Sequence, residues 1–151
     1  MTELVAYRPT YRDAVLRLAR EMHAESVIHR YMPLNEEKVI AQLEAAAANP
    51  DCYFRLAVCQ GEIVGGFLAV PSTLYFCDDK VSQDRAWFVR RDGRGTGAAV
   101  ALVRDWIRWG KERGVRWFFL GQSTAVNMET TAALYERLGF TVVGVNTVMG
   151  V

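Results

Sequence analysis

The stretch FVRRDGRGTGAAVALVRDWIRWG, Phe88–Gly110, sets Arg90, Arg91 and Arg94 among Gly93, Gly95 and Gly97 at the entrance to a long amphipathic segment. The first amides of a helix have no intrahelical partner, and the helix dipole adds partial positive charge there. Glycines let a ligand approach the backbone closely, and an arginine guanidinium matches the geometry of phosphate. Two readings are open on these residues alone: a tight strand-to-helix turn, or a cradle for an anion such as a pyrophosphate. The Lys and Ser/Thr that follow the glycines of a P-loop are missing. Val100 stands where a dinucleotide fingerprint needs its third glycine, and that fingerprint normally follows the first strand. Nucleotide triphosphate and dinucleotide chemistry are both disfavoured.

Other chemistry-bearing residue types are sparse. Cys52, Cys59 and Cys77 are odd in number and form no CxxC pair, so neither a disulfide framework nor a zinc site is expected. The two histidines, His23 and His29, carry no ligand spacing, and no metal is expected. A net charge of +1 lacks the basic footprint of a nucleic-acid binder. The arginine cluster is therefore a local feature. No apolar run approaches a membrane span, and MTELVAYRPT has no signal-peptide organisation, so a cytoplasmic protein is expected. The 151 residues suit one domain, 1–151, and a hydrophobic fraction of 51% provides for a substantial core.

The elements that must position the turn follow from periodicity. Leu4–Tyr7 reads as a strand. Thr10 is placed to cap a helix over Tyr11–Ser26, with Val15, Leu18, Ala19 and Met22 on its buried face. Pro33 and Asn35 prepare a second helix with Val39, Ile40, Leu43 and Ala47 inward. Tyr53–Gln60 and Ile63–Val70 read as a hairpin, and Gly65 and Gly66 mark a bulge or a close neighbouring backbone. Ala86–Val89 is a strand, although PSTLYFCDDKVSQDR before it has no clear period. A helix over Thr96–Arg113 ends at Gly114. Trp106 and Trp109 on it read as packing residues. Val115–Gly121 is a buried strand, METTAALYERLGF a short helix, and Thr141–Val148 a last strand. The order β-α-α-β-β-β-α-β-α-β predicts an α/β fold. Its mixed, mostly antiparallel sheet of about six to seven strands is flanked on both faces by about four helices.

Three stretches, in this order and spacing, resemble the GNAT superfamily of N-acetyltransferases: GEIVGGFLAV, the Phe88–Leu120 segment, and AALYERLGF (Ala132–Phe140). The resemblance spans Leu4–Val148. It implies an acetyl-CoA-dependent N-acetyltransferase acting on a small-molecule or peptide amine in a ternary complex, with no nucleic-acid or membrane partner. A homodimer is left open. The coenzyme A pyrophosphate would lie on the amides around Arg94, Gly95, Thr96, Gly97 and Ala98, with Arg90 and Arg91 as helpers. The pantetheine arm would pair with the backbone at Phe88 and Val89, where two parallel strands, ending near Val89 and Gly121, splay apart.

The family's turn usually begins with Arg or Gln, whereas Asp92 stands at that position here; alternatively the turn is shortened and Arg90, Arg91 or Arg94 takes that role. An acid facing pyrophosphate would be repulsive, so Asp92 is expected to point to solvent or to pair with an arginine. Tyr135 resembles the family's general acid, the alternative being an aromatic packed on the sheet. Asp84 is the nearest match to a general base, the alternative being a solvated residue paired with Arg85. Asn127 corresponds to a cofactor contact, one residue early, or to a helix N-cap. His29, Tyr31, Tyr75 and Asp79 are candidates for the acceptor pocket. No cysteine has a nucleophile's setting, which disfavours an acetyl-enzyme. The alternative function is a non-catalytic acyl-CoA-binding or assembly protein with the same fold.

Overall fold

The computed structural model describes residues 1–122 and 127–151. Among these, one mixed five-stranded sheet runs in sequence order: β1 (Thr2–Ala6), β2 (Tyr53–Cys59), β3 (Glu62–Leu74), β4 (Cys77–Val89) and β5 (Trp117–Phe119). Pairing is antiparallel from β1 to β4 and parallel between β4 and β5. Four α-helices accompany it: α1 (Arg12–Glu25), α2 (Glu36–Ala48), α3 (Ala98–Glu112) and α4 (Met128–Arg137).

Strand alternation divides the core in two. On one face Phe54, Leu56 and Leu68 meet Val15 of α1 and Ile40, Leu43 and Ala46 of α2. On the other, Tyr53, Ala57 and Phe67 meet Leu102, Val103 and Trp106 of α3. Trp106 is fully buried, with its ring 4.8 Å from Phe67 and 5.1 Å from Phe118. Its indole N–H donates to Ser82 Oγ at 2.9 Å, so the burial leaves no orphaned donor. Trp109 packs edge-on against Tyr53. Both tryptophans are packing residues.

Glycine fits the sheet where backbones crowd. A Cβ on Gly65 would stand 2.8 Å from the Phe88 carbonyl oxygen, and the β2–β3 register shifts opposite it, between Ala57 and Val58. The bulge and the close neighbouring backbone are thus both met at Gly65.

Several element ends differ from the sequence reading. Thr10 makes no cap: a 3₁₀ turn over Pro9–Tyr11 leads into α1 instead. Asn35 does cap α2, accepting from the Lys38 N–H at 2.9 Å. In α2 it is Ala46, not Ala47, that reaches the core. β4 begins at Cys77, nine residues earlier than the period suggested, because its first half pairs along a long hairpin with β3 and buries only Val81 and Ser82.

The expected last strand over Thr141–Val148 does not form, which leaves five strands among the described residues where six to seven were expected. Val143 is 84% exposed and Val145 89%. A strand needs an edge to pair with, and β5 has only three ladder residues. Gly144 and Asn146 also interrupt the β-branched run, and the Asn146 side chain instead donates to the Gln122 carbonyl at 3.3 Å.

Candidate active site

β4 and β5 pair only at Val81–Trp117, Ser82–Phe118 and Gln83–Phe119. Beyond Gln83 the two strands part. The β3–β4 register explains why: Leu68 faces Ala86 and Ala69 faces Asp84, so Arg85 is an extra residue that bends β4. β4 then runs on to Val89 with that edge unpaired. A cleft of about 580 Å³ opens there, between the end of β4, the first turn of α3, the C-terminal end of α1 and the inner face of α4.

At one end of the cleft lies the arginine–glycine turn. Gly95 and Gly97 have φ of +88° and +85°, which side chains strain to adopt, and Gly97 occupies the N-cap of α3. No atom lies within 4 Å of a Cβ built on either glycine, so the turn's outer surface is open. Thr96 Oγ1 donates to the Gly93 carbonyl at 2.6 Å and pins the turn. Arg90 is ringed by carboxylates: Asp92 at 2.9 Å, Glu21 at 3.6 Å and Glu62 at 3.8 Å. Asp92 thus pairs with an arginine, as the repulsion argument required. Arg94 Nε donates to the Val89 carbonyl at 3.1 Å, and its Nη2 donates to Glu25 at 2.5 Å.

At the other end, Tyr135 and Asp84 converge on Gly121. The Tyr135 hydroxyl donates to the Gly121 carbonyl, and the Gly121 N–H donates to Asp84 Oδ1, both at 2.8 Å. Burial, with the Asp84 charge adding to it, pushes the Tyr135 phenol far above its ordinary range and keeps it protonated. Burial also raises the Asp84 carboxyl above the ordinary carboxylate value, against the opposing pull of the Gly121 N–H.

Of the residues singled out in the sequence, Asp84, Phe88, Val89, Arg94, Gly95, Gly97, Asn127 and Tyr135 line this cleft. Arg90, Arg91, Thr96 and Ala98 flank it without lining it. Asp84 makes no pair with Arg85. Asn127 sits at the N-cap of α4 with φ +49° and makes no side-chain cap bond. His29 lines the cleft, whereas Tyr31 and Tyr75 are exposed outside it and Asp79 accepts from the Trp117 indole. Glu25 and Met22 also line the cleft; the helical period marks Met22 only as a buried-face residue of α1, and no sequence signal marks Glu25. Among the described residues no cluster of ligating side chains could hold a metal ion, and no helix is long and apolar enough to cross a membrane.

Residues 13–140 match the Acetyltransferase (GNAT) family. The chain belongs to the GNAT acetyltransferase family. Solved structures share the fold at low identity. The aminoglycoside acetyltransferase AAC(6')-Iy in complex with the bisubstrate analogue CoA-S-monomethyl-acetylneamine is 18% identical with a TM-score of 0.75, covering 100% of this chain and 97% of that one. Glucosamine-6-phosphate N-acetyltransferase from Arabidopsis thaliana is 12% identical at TM-score 0.74, covering 99% and 98%. A protein described as a transcriptional regulator from Bacillus halodurans is 19% identical at 0.77, with full coverage of both chains. No curated protein sequence matches the chain significantly.

This GNAT chain fits its family's cofactor, acetyl-CoA. The open glycine turn, the α3 N-terminus and the unpaired β4 edge lie along one cleft, where helix amides and an open strand edge can receive an extended anionic ligand. Tyr135 and Asp84 stand at its far end.

Proposed function

We propose that this GNAT protein transfers an acetyl group from acetyl-CoA to a primary amine by direct attack in a ternary complex. The observation that carries the reading is the convergence of Asp84 and Tyr135 on Gly121, in the same cleft as the glycine turn. When bound, the cofactor supplies an activated acetyl thioester whose carbonyl is the electrophile.

The chain's own residues supply the rest. The Gly95 and Gly97 amides and Arg94 hold the pyrophosphate, with Arg91 exposed beside the turn and Arg90 fixing Asp92 out of the way. Phe88 and Val89 give the edge that orients the pantetheine, and Asn127 faces the same cleft from α4. Asp84 takes a proton from the incoming ammonium. Tyr135, held protonated, would give its proton to the sulfur as the C–S bond breaks and would recover one from the nitrogen that becomes the amide. No cysteine lines the cleft, so the acetyl group has no thiol carrier there. The neighbours' acceptors, an aminoglycoside and an amino sugar phosphate, support an amine as substrate.

The test is calorimetric titration with acetyl-CoA, then release of free thiol with kanamycin, glucosamine 6-phosphate and spermine as acceptors. Binding followed by turnover that collapses in Tyr135→Phe is the expected result. No binding at millimolar cofactor overturns the reading, and binding without turnover of any amine returns the acyl-CoA-binding alternative.

A further inference from the structure

We propose that Arg94 is a latch whose release by the cofactor frees Glu25 to receive a cationic acceptor, which couples the binding of the two ligands. The inference rests on the acetyl-CoA reading of the cleft and names the acceptor's binding group within it.

The peptide between Val89 and Arg90 shows what the latch covers. The Arg90 N–H donates to the Val64 carbonyl of β3 at 2.8 Å. In a trans peptide the preceding carbonyl points the opposite way, so Val89 C=O faces the open edge of β4. That acceptor is taken by Arg94 Nε. An extended ligand pairing along the β4 edge needs the same carbonyl, and must displace the guanidinium to reach it. Arg94 belongs to the glycine turn, so the displaced guanidinium stays beside the α3 N-terminus, where the cofactor's pyrophosphate would lie.

The other end of the guanidinium holds Glu25. Glu25 is the last residue of α1, where the helix dipole presents negative charge. Its side chain is only 19% exposed. A carboxylate in that position, mostly shielded from water and at the wrong end of a dipole, requires a cation. Arg94 meets the requirement before the cofactor binds. Once Arg94 turns to the pyrophosphate, Glu25 is left in the cleft wall as an unmatched anion. An ammonium group on the acceptor is the cation that fits. Before cofactor binds, acceptor and Arg94 compete for the same carboxylate. Coupling is reciprocal, so a bound acceptor tightens the cofactor as well.

Three titrations test this, with CoA and spermine as probes, on the wild type and on Glu25→Gln, which keeps the shape and removes the charge. Loss of the ion pair should tighten CoA binding about threefold to fivefold in Glu25→Gln, the range of a partly exposed pair. Spermine should bind the CoA-loaded wild type more tightly than the free protein by the same factor of about threefold to fivefold, since both gains come from opening one ion pair, and that gain should vanish in Glu25→Gln. The Arg94 Nε–H resonance should shift when CoA is added to the wild type. Unchanged CoA affinity in the variant, or an Arg94 signal that CoA leaves in place, overturns the latch. Spermine binding that is absent from the CoA-loaded wild type, or equal in both proteins, overturns the role of Glu25. Failure of the wild type to bind CoA is a separate result and overturns the cleft reading itself.

Discussion

The Asp84 carboxylate and the Tyr135 hydroxyl meet through one residue, each 2.8 Å from a backbone atom of Gly121. One group accepts from its amide and the other donates to its carbonyl. A side chain from the bent half of β4 and one from α4 are thereby fixed relative to each other with no direct bond between them. Tyr135→Phe removes the proton but keeps the ring that packs 5.7 Å from Trp87. Expected is a fall in kcat of about 10²-fold with the acetyl-CoA KM within about twofold. Steady-state kinetics read both, and an unchanged kcat would leave Tyr135 as a packing residue.

Asp84 gives a pH signature. Its carboxyl is raised by burial, and it must be ionised to accept a proton, so activity should rise with pH along a limb lying above the ordinary carboxylate value of 3.8. The Asp84→Asn variant should lose that limb and about 10²-fold or more in kcat/KM.

Stability should move the other way. A carboxyl with a raised folded-state value costs stability once pH climbs past its ordinary value, because the unfolded chain releases that proton more readily. The cost is complete above the folded-state value and absent in acid. Asp84→Asn can still accept from the Gly121 N–H. Thermal melts should therefore show the variant more stable than wild type at neutral pH, with the difference vanishing as pH falls through the carboxylate range.

Gly97 is held by conformation and not by space. With φ +85° and nothing within 4 Å of an added Cβ, Gly97→Ala meets only backbone strain. About 1–2 kcal/mol of stability should be lost, read by urea unfolding. Weaker acetyl-CoA binding should accompany it, as the first α3 amides lose their aim.

Gly110 is the converse case. It lies in α3, where alanine is the better helix former, but a Cβ there would stand 2.5 Å from the Phe118 ring. Crowding should outweigh propensity: Gly110→Ala is expected to lower stability by about 1–3 kcal/mol and the urea midpoint with it.

Much of this architecture was legible because one residue type had one physical reason to be where it is. Asn35 could cap α2, Gly114 could end α3, and the arginine–glycine turn could only precede a helix. The first half of β4 was not legible, since DDKVSQDR buries little and is a strand only through its long pairing with β3. Thr141–Val148 failed in the opposite sense: its composition favours a strand, but pairing depends on an edge that no local pattern reveals. In the site, Tyr135 and the glycines came from motif. Glu25 did not, because its partner Arg94 is 69 residues away and only the folded cleft brings the two together.

The unpaired edge of β4 from Asp84 to Val89 also bears on solubility. An exposed sheet edge is a template on which other chains can add strands and aggregate. Here that edge is recessed in a slot between α1 and α4, and its last carbonyl is capped by Arg94. A slender single chain can enter such a slot, whereas the flat edge of another sheet meets the flanking helices first. The recess thus acts as a sieve: it keeps sheets from fusing while leaving the backbone ladder available to a narrow ligand.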